Sequence, residues 1–215
     1  MAEDAATLEG LHVEALTRLA GGVAHDVKNP LNAMALQLAL LGDKVAGGGD
    51  GVAQACAQNL ASLKTQIGRV DEVMRRFLSV ADPSAEGNWL DLAAYAPDAV
   101  TLFGHEARRR GVELRCEAPS MPLRARCAPS AGARLVLALL LEAVSSCPPG
   151  SRILLSASAA GGEVRVALTR PAGGSFPGLL DAVRAGAEQL GGRLTVTAEG
   201  DVATRVLSLL GERTT

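Results

Sequence analysis

One stretch decides the fold, residues 16–45, which reads LTRLAGGVAHDVKNPLNAMALQLALLGDKV. Its apolar residues recur in steps of three and four, and they are Leu16, Leu19, Val23, Val27, Leu31, Met34, Leu38, Leu41 and Val45. Because an α-helix turns once in 3.6 residues, this spacing places them on one side of a helix. The stretch therefore predicts one long amphipathic helix.

The same rhythm returns after a glycine-rich break at residues 47–51, GGGDG. The apolar positions of this second segment are Val52, Cys56, Leu60, Leu63, Ile67, Val70, Met74 and Phe77. The two segments predict an antiparallel helical hairpin, which alone cannot enclose both apolar stripes. We therefore expect a homodimer, in which two hairpins form a four-helix bundle.

The pattern changes after Asp82-Pro83-Ser84, where the proline predicts the end of the second helix. Short alternating segments then predict strands at residues 89–92, 112–117, 123–127, 152–158, 164–169, 193–197 and 204–210. Helical patterns cover residues 95–110, 129–144 and 179–190. The chain is thus predicted to be α+β, with a hairpin domain at residues 1–81 and, at residues 89–215, a small α/β sandwich whose sheet carries helices on one face.

Charge and composition restrict the class of protein. A net charge of −2 argues against a nucleic-acid partner, which requires a basic surface. The acidic N-terminus does not resemble a signal peptide, and we expect no membrane span because no apolar stretch reaches ~18 residues, so the expected location is the cytoplasm. The four cysteines lack metal-ligand spacing, which predicts buried reduced thiols and no metal site.

The helical phase of the first stretch singles out His25. It follows Val23 by two residues and precedes Val27 by two, so it is predicted to point away from the apolar side. Asn29 shares its face one turn later, and Asp26 is its neighbour in the chain. A neutral imidazole has a nitrogen lone pair that can attack phosphorus, which makes His25 a candidate phosphate carrier rather than an ordinary surface histidine.

Residues 22–31, GVAHDVKNPL, resemble the H-box of sensor histidine kinases, in which a histidine is followed by an acid, then asparagine or threonine, proline and leucine. The resemblance covers roughly residues 10–80 and implies that family's dimerisation and phosphotransfer hairpin. It also implies that His25 is the phosphoacceptor, that Asp26 assists proton movement, and that Asn29 can orient water when a receiver domain is dephosphorylated.

The second half resembles the ATP-binding domain of the same family in residues 106–114 (EARRRGVEL), 139–144 (LLLEAV), 148–150 (PPG) and 191–194 (GGRL). Its nucleotide-binding letters differ. Glu142 stands where active kinases have an asparagine that helps to hold magnesium, and we expect it to cap or pair within the fold rather than to hold a metal. The run 169–174, TRPAGG, has no aspartate before its glycine pair, and residues 175–178, SFPG, replace the glycine-rich lid. ATP use is therefore not expected, and we expect no cofactor bound by this chain.

Together these features predict a histidine phosphotransferase, built like a degenerate sensor histidine kinase, that moves phosphate between receiver-domain aspartates through His25. The expected partners are response-regulator receivers, including that of a hybrid histidine kinase, with Mg²⁺ held in the receiver. One alternative is a kinase with a divergent ATP site. Another is a non-catalytic pseudokinase that binds a response regulator.

Overall fold

The computed structural model describes residues 7–47, 52–83, 87–174 and 176–212. The helices are α1 (Leu8–Gly47), α2 (Val52–Ala81), α3 (Leu92–Arg109), α4 (Pro129–Ser146) and α5 (Pro177–Gln189). The strands are β1 (Trp89–Asp91), β2 (Glu113–Glu117), β3 (Arg124–Arg126), β4 (Arg152–Ala160), β5 (Glu163–Pro171), β6 (Arg193–Glu199) and β7 (Val202–Leu210). The predicted helix break falls mostly on residues 48–51, which lie outside the described residues, as do residues 84–86 of the predicted boundary.

The chain divides into two compact units. Ala20–Phe77 form the hairpin unit, whereas Met1–Leu19 and Leu78–Thr215 form the sheet unit. The start and the end of the predicted hairpin domain, residues 1–81, are thus grouped with the sheet by their packing. Whether each predicted domain folds independently stays a prediction.

The hairpin unit holds most of α1 and α2 in an antiparallel arrangement. Near the end of α1, Lys44 Nζ donates a hydrogen bond to Asn59 Oδ1 at 3.0 Å, and Asn59 Nδ2 donates to the Gln37 carbonyl at 3.2 Å. These contacts join the last turns of α1 to the early turns of α2, and the groove described below joins the middle of α1 to later turns of α2. The predicted antiparallel pairing of the two helices agrees with this arrangement.

The sheet unit contains a mixed five-stranded sheet with strand order β2-β4-β5-β7-β6. Only the β2–β4 pair is parallel among these strands, and a separate antiparallel ribbon joins β1 to β3. Side chains of β5 alternate between buried and half-buried, as expected when helices cover one face. The predicted α+β class and the β4–β5 hairpin across Gly161-Gly162 are confirmed.

Helix α4 forms the core of the sheet unit. Its residues from Leu135 to Val144 are almost completely buried, which explains why this helix is apolar on all sides. By length and composition α4 is apolar enough to cross a membrane, so the expectation that no stretch reaches that limit was wrong. Because 72% of the 18-residue window is buried inside the protein, its apolarity is that of a core helix.

The start of α1 belongs to the sheet unit and was not predicted. Thr7 Oγ1 accepts a hydrogen bond from the Gly10 backbone N–H at 3.1 Å, an N-cap contact that begins the helix. Arg18 Nη1 then donates to Ser145 Oγ on α4 at 2.8 Å and lies 3.6 Å from Glu106 Oε1 on α3. The first turns of α1 therefore pack against the helices that cover the sheet.

The cysteine prediction was right for two of the four residues. All four thiols are free; Cys127 and Cys147 are buried, whereas Cys56 and Cys116 are half-buried. Cys116 is less covered because it lies on β2, a strand at the edge of the sheet.

Candidate functional site

His25 lies on α1 within the hairpin unit, and its side chain is 56% exposed. Val23, two residues before it, is buried, and Val27, two residues after it, is half-buried. The predicted phase is therefore correct. The α-helical backbone presents the imidazole outward because these valines occupy the covered side.

The three residues predicted for the site meet at one ring nitrogen. Asp26 Oδ1 lies 3.4 Å from His25 Nδ1, and Asn29 Nδ2 also lies 3.4 Å from it. Asn29 reaches the ring because it follows His25 by four residues, one helical turn. Both distances are at the long end of the hydrogen-bond range, and the tautomer of His25 decides whether Nδ1 donates or accepts.

A groove of about 580 Å³ adjoins this cluster between α1 and α2. It is lined by Asp26, Asn29, Pro30, Ala33, Thr65, Gln66, Gly68, Arg69, Glu72 and Val73. Glu72 pairs with Arg75 and with Arg76, each at 2.8 Å, and the hydrogen bond from Arg75 holds the pKa of Glu72 below its usual value. The α2 side of this groove was not predicted, because helix phase alone does not give the register between two helices.

The sheet unit holds a second polar cluster, which is completely buried. Glu142 of α4 accepts hydrogen bonds at Oε1 from Arg205 Nη2 at 2.9 Å and from Arg170 Nη2 at 3.3 Å. Arg205 Nε lies 2.9 Å from Glu142 Oε2, an ion-pair contact that is not aligned as a hydrogen bond. Burial lowers the pKa of Arg205, and the charge of Glu142 opposes that effect. Glu142 thus pairs within the fold, as predicted.

The two arginines of this cluster were not singled out from the sequence, although a signal was present. Arg170 lies on β5 and Arg205 on β7, and each is at a position of its strand where the flanking alternation points toward the helices. An inward-facing charged residue needs a partner, because an unpaired buried charge is costly. The partner lies 28 residues from Arg170 and 63 from Arg205, so it is found only in the folded chain.

Arg170 also binds the segment that follows β5. Its Nη1 donates to the Gly173 carbonyl at 2.6 Å and to the Pro171 carbonyl at 3.2 Å, and its Nη2 donates to the Gly174 carbonyl. Gly174 has φ +53°, and a Cβ there would lie 2.4 Å from the Ser146 carbonyl oxygen. The segment is therefore packed tightly on the end of α4. The next residue, Ser175, belongs to the predicted lid remnant and lies outside the described residues.

Known proteins resemble this chain in sequence and in fold. No protein-family model matches it. The sensor histidine kinase ZraS of Escherichia coli K12 is 27% identical over 176 residues, which cover 79% of this chain and 36% of ZraS. The histidine kinase AdeS of Acinetobacter baumannii has a TM-score of 0.50 at 15% identity and covers 88% of this chain, and 98% of the AdeS chain is matched. A histidine kinase of Burkholderia phymatum STM815 has a TM-score of 0.52 at 15% identity, with 86% of this chain and 97% of that chain covered.

The fold of the chain resembles that of histidine kinases. This statement covers its helices and mixed sheet, since the solved structures share the fold at low identity. The chain spans about a third of the length of the curated relative that it matches.

The resemblance implies a site for ATP and magnesium in which Glu142 takes the place of a magnesium ligand, and this side chain does not fit that role. Magnesium is held by accessible carboxylate or amide oxygens together with phosphates and water. Glu142 is 0% exposed and faces two guanidinium groups. The arrangement is that of a core ion pair.

Proposed function

We propose that this chain is a histidine phosphotransferase of a two-component phosphorelay. His25 takes a phosphoryl group from an aspartyl phosphate on one receiver domain and delivers it to the aspartate of another. The observation that carries the proposal is the exposed imidazole of His25 with Asp26 and Asn29 at one of its nitrogens. A carrier of this kind must be reachable by a second protein, and His25 lies beside a groove that is open to one.

The chemistry follows from the contacts at Nδ1. When Nδ1 carries the ring proton and donates it toward Asp26, the lone pair lies on Nε2. Nε2 then attacks phosphorus, a P–N bond forms, and the P–O bond to the receiver aspartate breaks, with its electron pair returning to the carboxylate. The phosphorylated ring is cationic until Nδ1 loses its proton, for which Asp26 is the adjacent acceptor. The same steps in reverse load the next receiver.

In this mechanism, Mg²⁺ is bound by the partner receiver domain rather than by this chain. Phosphoryl transfer depends mainly on positioning and on neutralising charge, and the residues of the hairpin unit supply the nucleophile and a proton acceptor. The receiver would contribute Mg²⁺ in its acidic pocket beside the aspartyl phosphate. The candidate partners are receivers of response regulators and of a hybrid histidine kinase.

Apolar exposure in the hairpin unit supports the proposed homodimer. Large apolar side chains on the predicted stripes are open in the single chain, among them Leu31, Leu38, Leu60, Ile67 and Met74. A run of apolar residues at heptad-like spacing is typical of a helix bundle that buries it against another copy. Two hairpins would give such a bundle, with one His25 on each.

The test is transfer from a phosphorylated receiver to the purified chain. We expect the wild type to become labelled within minutes, and we expect no label on His25→Ala. His12→Ala is the matched control, because it removes another histidine of the same helix outside the groove, and it should label as the wild type does. Equal labelling of His25→Ala and the wild type would contradict the assignment.

A parallel incubation with ATP and Mg²⁺ alone separates this proposal from the kinase alternative. A phosphotransferase without nucleotide chemistry stays unlabelled, whereas an autokinase labels His25. The pseudokinase alternative predicts that the chain binds receivers but takes no label from any of them. A screen over the receivers of one cell distinguishes all three outcomes.

A further inference from the structure

The buried cluster in the sheet unit pairs one carboxylate with two guanidinium groups, which supply the positive charge that a metal ion would supply in a metal site. Arg170 and Arg205 together carry two positive charges, and Glu142 carries one negative charge between them. All three side chains are at most 2% exposed. Such a carboxylate needs a cationic partner, since an ion removed from water without compensation is strongly disfavoured. Here the compensation comes from side chains of β5 and β7.

One of these arginines also links the carboxylate to the end of β5 and to the turn that follows it. One guanidinium, that of Arg170, reaches Glu142 on one side and three backbone carbonyls of the 171–174 segment on the other. The planar fork of arginine can serve several acceptors at once, which a lysine ammonium on the same strand could not do in this geometry. The segment is held directly against the end of α4, where Gly174 leaves no room for a side chain.

We propose that Arg170 and Arg205 have replaced the cation of a nucleotide site, so that the cluster with Glu142 is a permanent core element that excludes Mg²⁺ and nucleotide. The two guanidinium groups thus occupy the place of the cation. The site has gained this ion-pair cluster in addition to losing its contacts to nucleotide. This inference concerns the sheet unit, and it rests on the proposed function only in the shared claim that no nucleotide is used.

The first test asks whether the full chain binds magnesium nucleotides. The probes are ATP and ADP at millimolar concentration, each with and without Mg²⁺, in calorimetric titrations and thermal unfolding. We expect no saturable heat and no change of the unfolding temperature. Saturable binding of ATP or ADP, with or without Mg²⁺, would overturn the inference.

The second test asks whether the cluster is a core element. Glu142→Gln leaves two buried guanidinium groups without a counter-charge, so the unfolding equilibrium constant should rise at least about tenfold. Glu163→Gln is the matched control, because Glu163 also pairs with two arginines, Arg165 and Arg193, but in contact with solvent. Its effect should stay within about twofold. Equal effects of the two substitutions would contradict a core role.

A second pair of variants serves if Glu142→Gln does not fold. Arg170→Lys keeps the charge but cannot reach Glu142 and the segment carbonyls together, so its denaturation midpoint should fall. Arg165→Lys, on the same strand, should not change the midpoint. Labelling from a phosphorylated receiver is measured on the same preparations. If the chain binds Mg²⁺–ATP and still accepts phosphate from a receiver, only this inference is overturned. If the chain neither binds Mg²⁺–ATP nor accepts phosphate, only the proposed function is overturned.

Discussion

At the scale of single residues, Asp26 and Asn29 both lie 3.4 Å from Nδ1 of His25, and the tautomer of the ring decides which of the two it binds. The two contacts differ in what they can do, because a carboxylate accepts a proton and an amide does not. Under the proposed function, a ring that donates its Nδ1–H to Asp26 passes that proton to the carboxylate during transfer, whereas the Asn29 amide can donate to Nδ1 only when this nitrogen carries no proton. Neither role requires His25 to be buried, which matches its exposure.

Replacing Asp26 with asparagine should slow phosphate transfer by about 10²-fold, because an amide of the same shape cannot accept the Nδ1 proton. The measurement is the rate of label transfer from a phosphorylated receiver by rapid quenching. Asp43→Asn is the matched control, since Asp43 is an exposed aspartate of the same helix outside the groove, and it should transfer at the wild-type rate. A transfer rate of Asp26→Asn equal to that of the control would remove the proton-acceptor role.

The His25 cluster was predictable, whereas the Glu142 cluster was only partly so. His25, Asp26 and Asn29 lie within one helical turn, so sequence spacing determines which side chains meet. Glu142, Arg170 and Arg205 come from three separate elements, and the register of β5 with β7 brings the arginines to the same carboxylate. Strand alternation alone indicates that the two arginines face inward, but not what they bind.

At the scale of helices and strands, most elements were predicted to within a few residues, with the start of α1 as the main exception. The strands and helices of the sheet unit follow apolar alternation and glycine or proline breaks, which are local signals. Thr7 and Glu9 are also local signals for a helix start, a cap followed by an acid in the first turn. The predicted helix begins with the apolar stripe at Leu16 and so does not include them. The sheet unit also includes the buried residues Leu11, Ala15 and Leu19, and their packing depends on residues that are distant in the sequence.

The packing of the α1 start should weaken in mild acid because of His12. Burial lowers the pKa of His12, and the charge of Arg134 lowers it further while Glu9 opposes both. The folded state therefore binds the proton less readily than the unfolded state, whose histidine titrates near 6.5. The stabilising effect is complete above pH ~6.5 and is lost as pH falls below that value toward the folded pKa.

Urea denaturation at pH 7.5 and pH 5.5 measures this effect. The wild type should lose more stability between the two values than His12→Gln, in which the titrating group is absent. The difference between the two proteins removes the contributions of all the groups that they share. An equal loss in the wild type and the variant would show that His12 does not contribute.

At the scale of the whole molecule, the open apolar stripe of the hairpin unit predicts self-association. Leu38 and Leu36 lie on the same helix and are 56% and 60% exposed, but only Leu38 is on the stripe. Leu38→Asp should shift the protein from dimer to monomer, because it places a charge in the proposed bundle core. Leu36→Asp should leave the dimer intact. Sedimentation velocity over a range of concentrations distinguishes the two, and dimers of equal strength would refute the proposed bundle.

The contacts of the α1 start limit how this chain can be recombined with its relatives. Leu8 and Leu135 both approach Gly186 closely, and Arg18 binds residues of α3 and α4. A chimaera joined at residues 82–88 would therefore take the sheet from one parent and part of its covering layer from the other. Hybrids that exchange the two halves should fold poorly unless residues 8–19 come from the same parent as the sheet. The first turns of α1 must therefore match a region that lies more than a hundred residues away in the sequence.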